Sequence, residues 1–282
     1  MQIVTTIAEA KAITRAWKRA GETVGLVPTM GYLHEGHTSL IDRAHAENDH
    51  VVVSVFVNPT QFAPTEDLAS YPRDFDHDCE LCEAHGADLV FHPEPEEMYR
   101  NPQAYVGIDL LSETMEGAAR PIHFRGVCTV VSKLFNIAQP DNAYFGQKDA
   151  QQLAIVKKFA ADLDFDVNVV GCPIVREEDG LAKSSRNAYL TPEQRAAAPV
   201  LYRSVRMGQA AIKPGMKSAD LEAQMKAVLA EEPLAETEYV TVVDALTMQP
   251  VDVIDRPVLV AMVVRIGKTR LLDNFSYDPA NA

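Results

Sequence analysis

Four short runs of almost uninterrupted apolar residues, at 24–27, 51–57, 89–91 and 167–170, most strongly constrain what this chain can fold into. They are rich in valine and leucine and keep up no strict apolar–polar alternation. Each therefore reads as a strand buried on both faces. Helical patterns accompany them: 36–48 after the first, 74–85 after the second, and 148–163 ahead of the last. A further pattern at 127–138 sets Val130, Val131, Leu134, Phe135 and Ala138 at helical spacing. Buried strands alternating with amphipathic helices make a parallel sheet covered on both sides. Residues 1–186 read as one doubly wound α/β domain.

The texture changes after 186. Thr191-Pro192-Glu193-Gln194 combines an N-cap threonine, proline at the first helical position and glutamine three residues after the cap, which opens a helix expected to run through 211. A second helix, 219–230, follows Lys213-Pro214-Gly215, and strands are expected at 239–244, 258–266 and 270–273. Helices followed by an antiparallel meander give a smaller α+β domain over 187–282.

The formal charge is -14. Surfaces that bind duplexes or tRNA are basic, so nucleic acid is not the expected partner, and an anionic ligand must be met by a local cluster of donors. Four cysteines are too few for a disulfide framework at this length. Residues 1–12 carry no signal-like apolar run, and no stretch approaches the roughly 20 apolar residues that span a bilayer. The expected location is cytoplasmic, with no membrane partner. Cys79 and Cys82 form a C-x-x-C flanked by His77 and His85, but the run fits an amphipathic helix and lacks a second cysteine pair at zinc-finger spacing.

The first strand runs into Val27-Pro28-Thr29-Met30-Gly31-Tyr32-Leu33-His34-Glu35-Gly36-His37. A buried strand ends, a glycine turn follows and a helix opens near Gly36. That geometry aims backbone N–H groups and the positive helix end at whatever lies above the strand, which suits phosphate. Gly36 allows close backbone approach, and His34 and His37 can both donate to phosphate oxygens as charge builds. A pair of surface histidines is the bland alternative; placement directly after the first buried strand favours ATP. A second signal, Gly180-Leu181-Ala182-Lys183-Ser184-Ser185-Arg186, offers two cations and two hydroxyls for a triphosphate. A third, Tyr144-Phe145-Gly146-Gln147-Lys148-Asp149-Ala150-Gln151-Gln152, is another strand-to-helix turn, with Gly146 for close approach, Lys148 as a phosphate cation and Asp149 as a ribose or metal partner.

H-x-G-H followed by Lys-Ser-Ser-Arg resembles the HIGH and KMSKS elements of class I aminoacyl-tRNA synthetases, in the same order, and implies nucleotidyl transfer on a Rossmann-like domain. Taken together, 27–37, Phe56-Val57-Asn58-Pro59-Thr60-Gln61-Phe62, Glu66-Asp67-Leu68 through Tyr71-Pro72-Arg73, Glu116-Gly117 through Arg120-Pro121, His123-Phe124-Arg125-Gly126-Val127, Lys133-Leu134-Phe135-Asn136, 146–152, Ser184-Ser185-Arg186-Asn187 and the closing Arg270-Leu271-Leu272-Asp273-Asn274 resemble the pantoate–β-alanine ligase family. The resemblance implies condensation of (R)-pantoate with β-alanine, with ATP cleaved to AMP and pyrophosphate through a bound pantoyl adenylate. Carried over, His37 is the catalytic donor and His34 its companion. Met30, Gly31, Tyr32, Leu33, Glu35, Gly36, Gly146, Gln147, Lys148, Asp149, Val175, Lys183, Ser184, Ser185 and Arg186 complete the ATP site. Gln61 and Gln152 bind pantoate through amides that both donate and accept, Gln61 also lies near the incoming β-alanine, and Asn58 and His123 are substrate neighbours. Mg²⁺ is expected with ATP as co-substrate, with Asp149 and Asp78 as candidate ligands, and the chain is expected to form a homodimer. Gln147 and Lys183 stand where the family more often has Glu and an apolar residue. The rival readings are another H-x-G-H adenylyltransferase and an inactive nucleotide-binding regulator.

Overall fold

The computed structural model describes residues Met1 to Asn281, and the chain divides into two compact units. The first comprises Met1–Gln147 with Gln152–Pro173; the second comprises Lys148–Gln151 with the chain from Ile174 onward.

The strands of the first unit are β1 (Gln2–Val4), β2 (Val24–Thr29), β3 (His50–Val55), β4 (Leu89–Phe91), β5 (Asn142–Gly146) and β6 (Asn168–Cys172). All pair in parallel, in the order β1-β4-β3-β2-β5-β6. Val24, Leu26, Val51, Val53, Leu89 and Val90 are fully buried, as runs without alternation require. β3, β4 and β1 lie to one side of β2, and β5 and β6 lie to the other. The topological switch point therefore falls between β2 and β5, where open α/β sheets hold their ligands.

The helices around this sheet are α1 (Ile7–Ala20), α2 (Glu35–Glu47), α3 (Phe75–Ala84), α4 (Pro95–Met98), α5 (Met115–Ala119), α6 (His123–Ala138) and α7 (Ala150–Asp162). β1 and α1 were not anticipated. A three-residue edge strand carries too little pattern to be seen, whereas α1 opens on a capping box between Thr6 and Glu9. β3 stops at Val55 instead of 57, because Asn58 caps a 3-10 turn over Pro59–Gln61. α6 begins four residues before the expected 127, and residues 147–149 form a 3-10 turn ahead of α7.

His50 stacks on Trp17 and pairs with Glu22, His92 stacks on Phe75 and donates to the Val55 carbonyl, and the His45 ring lies where a side chain at Gly86 would fall. The C-x-x-C lies on α3, with Cys82 in the core and Cys79 half-buried; burial pushes the Cys82 thiol up to about 12. Among the described residues no helix is long and apolar enough to cross a membrane.

The second unit holds α8 (Pro192–Ala197), α9 (Val200–Ala211), α10 (Ser218–Leu229) and an antiparallel sheet of β7 (Ala235–Asp244), β8 (Val258–Ile266) and β9 (Thr269–Tyr277) in that order. Thr191 and Gln194 form the expected capping box. The single helix expected through 211 is two helices, because Pro199 has no N–H to donate and sits between them as the N-cap of α9. Leu201, Val205, Leu221, Met225, Val242 and Val260 join the α9–α10 face to the sheet in one core.

Candidate active site

The turn between β2 and α2 is built from its backbone outward. Gly31 sits at φ +84, and a Cβ there would lie 2.8 Å from Asp78 Oδ2 and 3.1 Å from Val55 Cγ1. Tyr32 follows at φ +53, in the left-handed region that a bulky side chain seldom adopts. Both are held from outside the turn. Thr29 Oγ1 accepts from the Gly31 N–H at 3.2 Å, while Asp78 accepts from the Tyr32 and Leu33 N–H groups at 2.9 and 2.6 Å. Burial raises the Asp78 carboxyl above its ordinary value, against the two N–H donors that pull it down.

His34 is the N-cap of α2. Its Nδ1 accepts from the Gly36 N–H at 3.1 Å, and His37 Nδ1 accepts from the His34 N–H at 3.3 Å, an imidazole version of a capping box. A ring that accepts at Nδ1 carries its proton on Nε2. The backbone therefore selects the tautomer in which both rings present Nε2–H donors, with centroids 4.1 Å apart. Both side chains are half-buried, and Glu35 between them is exposed. Gly36 lies in the first turn of α2 with its N–H turned to His34.

Beside this turn, the 3-10 turn after β3 supports Gln61. The orientation of its amide follows from the backbone. Thr60 N–H reaches Asn58 Oδ1, and Asn58 Nδ2 reaches the Gly126 carbonyl at 3.2 Å, so Nδ2 is also the atom facing Gln61. Gln61 must then turn Oε1 to Asn58, at 3.0 Å, which leaves Nε2 pointing to Met30 Sδ at 3.0 Å. With Oε1 engaged by Asn58, the Gln61 amide has only its NH₂ for further contacts, where the sequence reading allowed it to donate and accept. Asn58 Oδ1 also accepts from the Thr60 hydroxyl and from Tyr99 at 2.7 Å. The Asn58 amide is engaged within the protein at both ends, and it orients Gln61.

His123 has a similar task. Nδ1–H donates to the Gln61 carbonyl at 3.1 Å, and Nε2 faces Arg120 Nη1 at 3.3 Å. Burial, with the Arg120 cation beside it, pushes the ring down to about 4, so it is neutral near pH 7. Both ring nitrogens have protein partners. Arg120 pairs with Glu66, whose carboxylate also accepts from the Ala63 N–H at 2.7 Å. α6 crosses the 3-10 turn at Gly126, where a Cβ would lie 2.5 Å from the Thr60 carbonyl oxygen and 2.6 Å from Gln61 N and Cα. Only glycine fits there.

Across the switch point β5 ends at Gly146, and Gln147 is exposed in the 3-10 turn that follows. Gln152 is half-buried early in α7. In the second unit, Lys148 is half-buried and lies 3.4 Å from the exposed Asp149, and its carbonyl accepts from Asn274 Nδ2 at 2.7 Å.

The segment carrying Lys183, Ser184, Ser185 and Arg186 is a braced turn. Lys183 N–H donates to the Val175 carbonyl, Lys183 Nζ pairs with Glu177 at 2.9 Å, and Ser184 caps a 3-10 turn over Ser185–Tyr189. Arg176, at the foot of the same hairpin, makes a bidentate pair with the buried Asp273 at 2.6 and 2.9 Å and lies over the Tyr202 ring. Asp273 and Asn274 belong to the closing motif seen in the sequence, and Glu66 and Arg120 to segments that carry the family resemblance; Tyr99 and Arg176 gave no comparable signal.

As to Mg²⁺, no group of three or more His, Cys, Asp or Glu among the described residues could hold a metal ion. Of the two candidate ligands, Asp78 has both carboxylate oxygens engaged by backbone amides, a framework role, and Asp149 stands beside Lys148. The residues present fit an ion carried on a nucleotide's phosphates better than a protein cage.

The family model for pantoate–β-alanine ligase matches residues 2–276. A pantothenate synthetase of Ruminiclostridium cellulolyticum is 57% identical over 99% of this chain and 100% of its own length. Among solved structures, a pantothenate synthetase of Thermus thermophilus superposes with a TM-score of 0.90 at 45% identity, covering 98% of this chain and 99% of that one. A pantoate–β-alanine ligase of Francisella tularensis, described as complexed with β,γ-ATP and β-alanine, superposes at 0.80 with 32% identity over 98% and 97% of the two chains. A parallel sheet with a histidine-capped helix at its switch point, followed by an antiparallel unit closing on Arg270-Leu271-Leu272-Asp273-Asn274, matches these relatives over the whole chain, which belongs to the pantoate–β-alanine ligase family.

Proposed function

We propose that the chain condenses (R)-pantoate with β-alanine, and that the H-x-G-H turn supplies the donors for the adenylyl-transfer step. The pantoate carboxylate attacks the α-phosphorus of ATP, the bond from that phosphorus to the bridging oxygen breaks, and pyrophosphate leaves. The β-alanine amine then attacks the carbonyl carbon of the pantoyl adenylate, loses a proton and expels AMP. Nothing in this sequence of steps needs a covalent enzyme adduct; the protein's part is positioning and charge stabilisation.

The observation that carries the reading is the tautomer set by the α2 N-terminus: two neutral imidazoles, each with Nε2–H as its donor, at the switch point of a parallel sheet. His37 and His34 donate to phosphate oxygens as negative charge accumulates. Gln61, turned by Asn58, donates to an oxygen of pantoate and excludes an amide acceptor from that side, and Gln152 serves the same substrate. Gly146, Gln147, Lys148, Asp149, Val175, Lys183, Ser184, Ser185 and Arg186 keep their assignment to ATP by family likeness. Mg²⁺ accompanies the nucleotide and neutralises phosphate charge. A homodimer working in the cytoplasm completes the reading by the same likeness.

Purified protein with ATP, Mg²⁺, pantoate and β-alanine should release AMP only when both organic substrates are present; AMP release independent of either would overturn the assignment. His37→Ala should lose adenylation by about 10²-fold or more with the fold retained. Near-normal turnover would remove His37 from the chemistry.

A further inference from the structure

We propose that Asp78 is a positioning residue for adenylation, holding the backbone of residues 31–33 in the one shape that lets His34 and His37 meet the phosphates. The inference rests on the reading of those histidines as phosphate donors.

Asp78 is 1% exposed on α3, and its two carboxylate oxygens divide between consecutive N–H groups: Oδ2 with Tyr32 and Oδ1 with Leu33. Hydrogen bonds from N–H to a buried carboxylate are the strong kind. They act where the chain needs holding most. Gly31 and Tyr32 occupy the left-handed region in succession, at φ +84 and +53, with only Leu33 between them and the extended His34 that caps α2. A tyrosine in that region persists only where its surroundings over-determine it. Take the carboxylate away and two N–H groups lose their acceptor at a turn that is already strained. The relaxation open to it rotates the peptides that lead into His34. The His34 and His37 rings are tied by Nδ1 to the N–H groups of residues 36 and 34, so a rotated backbone carries both Nε2 donors with it. Gly31 shows the same tightness from the other side, with Asp78 Oδ2 at 2.8 Å from any Cβ placed there.

Asp78→Asn keeps the volume and one acceptor but turns an NH₂ toward the second backbone N–H, donor against donor. For a variant still folded at the assay temperature, we expect kcat for AMP formation to fall by at least about tenfold while KM for pantoate stays within about twofold. Gly31→Ala, which strains the same turn and presses a methyl onto the Asp78 carboxylate from the other side, should show the same split, and it decides the matter if Asp78→Asn does not fold. His37→Ala is measured alongside. If it abolishes turnover while folded Asp78→Asn or Gly31→Ala keeps wild-type kcat, the positioning role is wrong and the histidine reading stands. If His37→Ala turns over normally, the reading beneath the proposal is the part that fails.

Discussion

Lowering the pH from 7 to 5 should weaken the first unit through His123, by an amount the structure bounds. The ring is 8% exposed; burial and the Arg120 guanidinium push it from 6.5 to about 4, against the opposing pull of the Gln61 carbonyl, Glu116 and Glu66. Its folded value lies below its unfolded one, so the unfolded chain takes up a proton that the folded state refuses. The contribution is whole above 6.5 and is lost as pH falls toward 4. With these two values, one proton of linkage gives about 2 kcal/mol lost between pH 7 and 5, and about 3 kcal/mol in all. The chain has a single tryptophan, and Trp17 on α1 reports the first unit. Urea melts followed by its fluorescence at pH 7, 6 and 5, for the wild type and His123→Asn, isolate the effect. Asparagine can still donate to the Gln61 carbonyl but does not titrate, and other groups cancel in the difference. The stability gap between the two proteins should shrink by about 2 kcal/mol from pH 7 to 5. Parallel pH dependences would refute the buried, neutral imidazole.

Tyr99→Phe removes one donor to Asn58 Oδ1; losing about 1 kcal/mol of orientation at Gln61 should raise KM for pantoate about fivefold and leave KM for ATP alone. Gly126→Ala drives a methyl into the backbone of residues 60 and 61, so a stability loss of about 1–3 kcal/mol or more is expected in denaturant melts, with pantoate use impaired. Asp273→Asn breaks a bidentate pair whose carboxylate is 2% exposed; a loss of about 3–5 kcal/mol should appear in the melting of the second unit.

Much of the fold was legible because its signal is local. Runs such as 51–53 and 89–91 are apolar whichever way they face, and only a strand covered on both sides needs that. The H-x-G-H turn was legible for a related reason: strand, glycine, cap and first helical turn lie within eleven residues. What stayed hidden depends on partners far apart in sequence. Asp78 lies 46 residues from Tyr32, and Tyr99 lies 41 from Asn58. Nothing in an isolated Asp or Tyr says which amide it will find. Asn58 and His123 were noticed, yet nothing in the sequence hinted that Gly126, Thr60, Tyr99, Gln61 and Arg120 would engage their polar atoms so that they aim Gln61. The break at Pro199 was visible in the residues, but the helical pattern on both sides masked it.

The cysteines on α3, α6 and β6 carry a practical consequence. Burial raises all four thiols, with Cys82 and Cys128 near 12, so a maleimide at neutral pH meets few thiolates. Cys79 is the only one not buried, and it is the residue next to Asp78. A single environment-sensitive dye can therefore be placed on the helix that grips the H-x-G-H turn without mutating the other cysteines, making that helix readable in real time during a turnover.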